Sequence, residues 1–235
     1  MKVLITGATG FVGSHIIEKL SGNSSLELVV ACRKPEKLLP TFKGEIRQGD
    51  LRDRDYCSLA VKDVDIVCHA AAWTSLWSYK ELSHDEFLVP TKNLIAAAVQ
   101  HNVNRFIFPS TTSAAAPDFS YDPLNEGIPR YFWPHLCNVI TIENELRKQA
   151  FNNFNAIVLR LGIFVGRRYG MGILPSLLPR LRTHLVPWIN QGKTHLPLID
   201  GKDIGQAFHK AILAEGLSAF ERFNIVGPEQ PTVKE

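Results

Sequence analysis

The sequence predicts a doubly wound α/β fold, in which helices cover both faces of a parallel β-sheet. Short runs rich in β-branched residues alternate with longer amphipathic stretches, in the order βαβα. The predicted strands are nearly continuous apolar runs, such as ELVVA at 27–31 and AIVLRL at 156–161, as expected for strands buried on both faces. Parallel pairing through right-handed crossovers follows, because each helix returns the chain to the same end of the sheet.

Six strands and three long helices are predicted before residue 166. The strands lie at Val3–Ile5, Glu27–Ala31, around Ile46, Asp65–Cys68, Phe106–Phe108 and Ala156–Leu161, and the helices at Phe11–Leu20, Leu82–His101 and His135–Ala150. After Gly166, glycines and prolines divide the chain into short pieces. We therefore expect a core domain at 1–165 and a small, truncated substrate-binding lobe at 166–235, in which 201–226 returns to the sheet.

Composition excludes several classes of protein. Apolar residues make up 45% of the chain and charged residues 21%, which is ordinary for a globular protein. The net charge is +3 and the basic residues are scattered, so no nucleic-acid partner is expected. No apolar run approaches the roughly 20 residues of a membrane span. The four cysteines contain no C-x-x-C pair, which predicts free thiols, no metal site and a soluble cytoplasmic protein.

A glycine-rich loop connects the first strand to the first helix. Residues 6–13 read TGATGFVG. Gly7 allows a tight turn, Gly10 lets a pyrophosphate approach the backbone, and Gly13 permits close packing of helix on strand. The helix N-terminus offers free N–H groups to phosphates. An ordinary glycine-rich turn is the alternative, but the flanking strand and helix favour a Rossmann-like dinucleotide site.

The end of the second strand indicates which dinucleotide binds. An acidic residue at this point would hydrogen-bond the ribose 2′-OH of NAD. Here Cys32 is followed by Arg33 and Lys34, and the first carboxylate is Glu36. Two cations favour a 2′-phosphate, so NADP is predicted, with NAD still possible. A solvated basic turn is the alternative interpretation.

Several motifs occur in one order across nearly all of the chain. They are TGATGFVG at 6–13, GDLRD at 49–53, HAAA at 69–72, RFIFPSTTS at 105–113, LRLGIFVG at 159–166 and the stretch around Asp203. On these motifs the chain resembles the extended short-chain dehydrogenases/reductases, a group of NAD(P)-dependent epimerases, dehydratases and related reductases. The resemblance implies a Rossmann fold, a nicotinamide coenzyme and a small-molecule substrate. Such proteins often form homodimers through the helices placed here at 82–101 and 135–150.

The resemblance also implies roles for individual residues. The expected coenzyme contacts are Gly7, Thr9, Gly10, Phe11, Val12 and Gly13 in the loop, Arg33 and Lys34 after the second strand, Asp50 and Leu51 beside the adenine, and Ala70 and Ala71 beside the ribose and nicotinamide. Thr111 occupies the position of the hydroxyl that hydrogen-bonds the reacting oxygen of the substrate, and Ser110 is its neighbour. A polar turn at the end of the strand is the alternative for residues 110–113.

The sequence departs from this group at its Tyr-x-x-x-Lys pair. With Pro134 and Glu143 as anchors, His135 stands at the tyrosine position and Val139 at the lysine position. Phe87 replaces an asparagine that the group often keeps. His135 is a candidate acid or base, and a buried structural histidine is the alternative. The aromatic residues Trp73, Trp77, Tyr131, Phe132 and Trp133 are candidates for a pocket wall or for ordinary packing.

Two functions therefore stay open. The first is an NADP-dependent oxidoreductase or epimerase that acts on a carbonyl or nucleotide-sugar substrate through a remodelled acid/base site. The second is a non-catalytic relative that binds the dinucleotide as a sensor or structural ligand. The sequence favours the enzyme, because Thr111 and most of the surrounding motifs are intact.

Overall fold

The computed structural model describes residues 1–74, 79–114, 133–151, 153–168, 179, 183 and 189–235. The strands are β1 Lys2–Thr6, β2 Glu27–Cys32, β3 Glu45–Gln48, β4 Ile66–His69, β5 Arg105–Thr111, β6 Asn155–Leu161, β7 Ile163–Val165, β8 Leu198–Asp200 and β9 Phe220–Ile225. The helices are α1 Phe11–Leu20, α2 Arg54–Val61, α3 Lys80–Ser83, α4 Val89–Gln100, α5 Pro134–Gln149 and α6 Gly201–Leu213.

Seven strands form one parallel sheet in the order β3-β2-β1-β4-β5-β6-β9. The order reverses beside β1, because β2 pairs with one of its edges and β4 with the other. Helices cover both faces, which confirms the predicted doubly wound Rossmann-like fold. In such sheets a crevice opens at the carboxyl ends of the strands where the order reverses, and ligands bind there.

Each face of the sheet carries its own apolar core. On one face, Phe106 and Phe108 of β5 pack with Leu94 of α4 and Leu146 of α5. On the other face, residues such as Ile107 pack with α1 and α6. Adjacent residues of β5 thus enter different cores, which explains why the strands are apolar throughout.

The predicted helix at 82–101 is wrong in one respect, because it is not a regular α-helix. It begins at Lys80, passes through a π-helical turn at His84–Leu88 and continues as α4. Pro90 explains the change: it has no N–H to donate to the carbonyl four residues earlier, and its ring clashes with a regular turn there. The π turn carries Glu86 and Phe87, which both face the crevice described below.

Helix α1 is held in place by α6, from late in the chain. A Cβ at Gly205 would lie 2.6 Å from the backbone oxygen of His15, and one at Gly201 would lie 2.2 Å from the His15 ring. These two glycines therefore allow the helices to touch. Strand β9 pairs with β6 at the edge of the sheet, and β7 and β8 form a separate parallel pair.

Two further properties concern the described residues as a set. None of their helices combines the length and the apolar character that a membrane crossing requires. All four cysteines are free thiols, and Cys32, Cys57 and Cys68 are buried as predicted.

Candidate functional site

The loop between β1 and α1 depends on two glycines that no other residue can replace. Gly7 has a φ of +64°, and a Cβ there would lie 2.4 Å from the carbonyl carbon of Ala70. A Cβ at Gly13 would lie 2.2 Å from the carbonyl oxygen of Gly7. In both cases the obstacle is backbone, which cannot move aside. The loop therefore packs directly on the end of β4.

Gly10 has a different role, because its missing side chain leaves space on the outside of the loop. A Cβ there would meet only the Gly7 oxygen, at 3.2 Å. Gly10 is the N-cap of α1, no side chain caps this helix, and no acidic residue lies in its first turn. The first N–H groups of α1 and the positive end of its dipole therefore suit a pyrophosphate.

This loop forms one wall of a cavity of about 380 Å³ at the reversal of strand order. The cavity brings together most of the predicted coenzyme contacts, namely Gly7, Thr9, Gly10, Arg33, Lys34, Asp50, Leu51, Ala70 and Ala71. Three other predicted contacts, Phe11, Val12 and Gly13, lie in the first turn of α1, where Phe11 stacks on Phe164 at 5.5 Å. Trp73, a candidate for a pocket wall, also lines this cavity, whereas the sequence did not indicate Lys37, Arg52, His69, Glu86 and Thr91 as residues of the wall.

The end of β2 supplies positive charge to this cavity. The side chains of Arg33 and Lys34 are exposed there. Across the cavity mouth, Arg52 binds Asp50 at 2.7 Å and Glu86 at 2.6 Å. The Arg52 guanidinium holds the pKa of the Asp50 carboxyl below its usual value. Arg33 is more distant, at 4.0 Å from Asp50 and 3.8 Å from Glu86, so Arg52 makes the closer ion pair with each carboxylate.

A buried histidine supports the opposite wall. His69 Nδ1 lies 2.8 Å from Thr6 Oγ1, and its Nε2 lies 2.9 Å from Thr91 Oγ1. Thr6 Oγ1 also accepts the N–H of Ala71, at 3.2 Å. Burial lowers the pKa of His69 to about 3, so the ring is neutral at ordinary pH. The histidine thereby ties β1, β4 and α4 together and fixes the backbone against which Gly7 packs.

Ser110 and Thr111 have different surroundings at the end of β5. The Ser110 hydroxyl donates to Glu143, a buried carboxylate that Arg160 binds at 3.1 and 2.7 Å and Arg222 approaches at 3.5 Å. The hydroxyl of Ser110 thus joins β5 to α5. Thr111 is half-buried, and its Oγ1 accepts the N–H of Ser113 at 3.2 Å. A hydroxyl that accepts in this way can still donate its own proton to a substrate oxygen.

His135 lies in the first turn of α5 and is 9% exposed. Its Nδ1 lies 3.3 Å from Ser83 Oγ, which accepts a hydrogen bond from Asn138 at 2.9 Å. The ring of Phe87 packs 4.9 Å from the imidazole ring, between centroids. Burial lowers the pKa of His135 to about 4, so the imidazole is neutral near pH 7.

Apolar side chains surround this part of the site. Val139 is buried in the same core as Phe87, and Trp133 packs on the cluster formed by Ala114, Leu136 and Ile140. Trp73 lines the cavity and contacts Tyr79 edge-on at 5.9 Å. Trp77, Tyr131 and Phe132 lie outside the described residues. Among the described residues no cluster of histidine, cysteine or carboxylate side chains is placed to hold a metal ion.

Comparison with known proteins identifies the family. The model of the NAD dependent epimerase/dehydratase family matches residues 3–225. This chain belongs to that family. The predicted resemblance to extended short-chain dehydrogenases/reductases is thereby confirmed.

Individual relatives of this epimerase/dehydratase family member match shorter regions. It is 32% identical over 120 residues to a 3 beta-hydroxysteroid dehydrogenase/Delta 5-->4-isomerase of Mycobacterium tuberculosis, covering 48% of this chain and 32% of the relative. It is 33% identical over 113 residues to a 2-alkyl-3-oxoalkanoate reductase of Stenotrophomonas maltophilia, covering 48% of this chain and 34% of the relative. The chain thus spans about a third of the length of these curated relatives.

Solved structures of two epimerases share the fold. A UDP-glucose 4-epimerase of Thermus thermophilus in complex with NAD superposes with a TM-score of 0.78 at 24% identity, over 100% of this chain and 80% of that one. A UDP-glucuronic acid 4-epimerase of Bacillus cereus, in complex with UDP-glucuronic acid and NAD, superposes with a TM-score of 0.80 at 21% identity, also over 100% of this chain and 80% of that one. Because both identities are below 25%, these similarities show the fold of this chain and nothing about its substrate.

Gly10→Val is expected to abolish coenzyme binding while the fold survives. The added side chain would project from the loop where the pyrophosphate is expected, whereas its only close backbone neighbour is the Gly7 oxygen. Calorimetric titration with NADPH and NADH should show at least ~100-fold weaker binding of both, since about 2.8 kcal/mol is a modest part of a pyrophosphate interaction. Gly22→Val is the matched control, because a Cβ there meets nothing within 4 Å. Unchanged affinity in Gly10→Val would contradict a dinucleotide at this loop.

His69→Gln is expected to make the protein less sensitive to acid. An unfolded histidine titrates near pH 6.5, whereas folded His69 has a pKa of about 3. Between these values only the unfolded chain binds the proton, so the stabilising contribution is complete above about pH 6.5 and is lost as the pH falls toward 3. Over this range, His69 is expected to change the free energy of unfolding by about 1.4 kcal/mol per pH unit. Urea unfolding at several pH values measures it, and equal slopes for both proteins would refute the prediction.

Proposed function

We propose that this chain binds NADP(H) in the crevice beside β1 and uses it to interconvert a carbonyl and a hydroxyl group on an apolar substrate. One observation supports this most strongly. Three cations, Arg33, Lys34 and Lys37, line the same cavity as the glycine loop, and Cys32 stands where a carboxylate would select NAD. The first N–H groups of α1 and the space outside Gly10 fit the coenzyme's pyrophosphate.

The preference for NADP rests on the charges at the cavity mouth. A 2′-phosphate needs cations that are not already neutralised by close carboxylates. Arg52 occupies Asp50 and Glu86 at hydrogen-bond distance, while Arg33 lies farther from both. Arg33 can therefore turn to a phosphate at little cost.

The surroundings of Thr111 and His135 favour an apolar substrate. Phe87 and Trp133 flank the imidazole, and Ala114, just after β5, packs with Leu136 and Ile140 of α5. Apolar surroundings of this kind suit a hydrocarbon skeleton better than a charged diphosphate. The names of two of the curated relatives, a hydroxysteroid dehydrogenase and an alkyl-oxoalkanoate reductase, point to the same substrate chemistry.

The chain's own residues would act on the substrate oxygen. NADPH, when bound, would supply a hydride to the carbonyl carbon, and negative charge would develop on the oxygen. The Thr111 hydroxyl donates a hydrogen bond to this oxygen, and His135 donates a second from a neutral imidazole. A proton from solvent completes the alcohol. Because Val139 carries no charge, the negative charge on the substrate oxygen would be stabilised by these hydrogen bonds.

A non-catalytic role is the second candidate, and one observation favours it. The positions of the family's lysine and asparagine hold Val139 and Phe87, and both side chains are buried in one apolar core. A protein that only senses or stores the dinucleotide needs the glycine loop but no proton-handling groups. Turnover assays decide between the two functions.

Loss of Arg33 and Lys34 is expected to remove the preference for NADPH. The double variant Arg33→Ala/Lys34→Ala should bind NADPH roughly 10- to 100-fold more weakly, since a hydrogen bond to a charged group contributes about 1.5–3 kcal/mol. Its affinity for NADH should change by less than about 2-fold, because NADH has no 2′-phosphate. Lys43→Ala is a suitable control, being exposed and outside the cavity wall. Tighter binding of NADH than NADPH by the unmodified chain would contradict the proposal.

Thr111→Ala and His135→Phe are each expected to lower the turnover rate by ~100-fold or more while NADPH affinity is kept. Each change removes a donor to the substrate oxygen and touches no expected coenzyme contact. The assay follows the oxidation of NADPH in the presence of ketosteroids, alkyl ketones and UDP-sugars. Full activity of both variants would refute the assigned roles. NADPH binding without turnover of any compound would favour the non-catalytic function.

A further inference from the structure

His135 is held by a short chain of polar side chains from two helices. Ser83 lies at the end of α3, just before the π turn, and is 1% exposed. Its Oγ lies 3.3 Å from His135 Nδ1 and 2.9 Å from the Nδ2 of Asn138 on α5. Phe87 covers the ring from the side of the π turn. The three polar groups therefore satisfy one another within an otherwise apolar site.

The direction of these hydrogen bonds favours one ring nitrogen as the site of the imidazole proton. The amide Nδ2 of Asn138 can only donate, so the oxygen of Ser83 accepts from it. The proton of Ser83 is then available to its other neighbour, Nδ1 of His135. A neutral imidazole that accepts at Nδ1 carries its proton on Nε2.

We propose that Asn138 and Ser83 are positioning residues that hold His135 as the Nε2-protonated neutral imidazole. Its catalytic consequence rests on the proposed function: Nε2–H is the donor to the substrate oxygen. In the family pattern a lysine one turn along the helix tunes the acid, whereas here that position is Val139. Asn138 and Ser83 perform the orienting part of that task with uncharged groups.

The test is the protonation pattern of His135 in the full chain. Long-range ¹H–¹⁵N correlation spectra near neutral pH distinguish Nε2–H from Nδ1–H, and the signals missing in His135→Phe identify the residue. The unmodified protein is expected to show Nε2–H. Asn138→Asp replaces the donor with an acceptor that takes the Ser83 proton, so Ser83 then accepts from Nδ1–H and the other tautomer should predominate.

Asn144→Asp is the matched control, because it makes the same substitution at an exposed position of α5. It should leave the His135 signals unchanged. Ser83→Ala removes the relay and should leave a mixture of tautomers. Predominant Nδ1–H in the unmodified protein would overturn the inference. So would His135 signals in the Asn138→Asp and Ser83→Ala variants that are unchanged from those of the unmodified protein.

Kinetics separates this inference from the proposed function. Asn138→Asp and Ser83→Ala should lower kcat by ~10-fold or more, with KM and NADPH affinity kept, because they alter only the orientation of a donor. An Nε2–H signal in a protein without turnover would refute the proposed function and support the positioning role. Turnover with unchanged kcat in both variants would refute the positioning role alone.

Discussion

The candidate site depends on direct backbone contact between the loop after β1 and the end of β4. Gly7 can touch Ala70 only because it has no side chain and adopts a left-handed conformation. Thr6 and His69 hold the other side of the contact through hydrogen bonds buried at the reversal of strand order. The loop is thereby fixed before any ligand arrives, so its N–H groups need little reorganisation to receive phosphates.

The sequence predicted the sheet and the coenzyme loop because both follow from local rules. Buried parallel strands are continuous apolar runs, and a glycine triplet between strand and helix has one geometry that fits. The π turn, by contrast, depends on how Pro90 is accommodated within a packed helix. Helix α2 had a visible signal, since Asp53 caps it by accepting from Asp55 and Tyr56. The ion pairs of Arg52 and the hydrogen bond between Ser83 and His135 could not be predicted, because their partners are distant in sequence.

The departures from the family pattern form one connected region. Phe87 packs on His135, and Val139 belongs to the same apolar core. Removing a lysine charge and an asparagine together avoids leaving either polar group without a partner in a dry site. His135 itself stays neutral near pH 7, because burial lowers its pKa to about 4. The region around Phe87, His135 and Val139 thus has the character of a low-dielectric site, in which hydrogen-bond dipoles replace charged groups.

The contact between α1 and α6 has a consequence for how the protein is made. The glycine loop leaves the ribosome well before the residues that cover the outer side of α1, Gly201 and Gly205. Until they are synthesised, the nascent α1 exposes apolar residues such as Ile16 that are fully buried in the finished protein. Contacts over such a sequence separation form late and slowly. The loop at the start of α1 therefore acquires its full set of supporting contacts only after α6 has been translated.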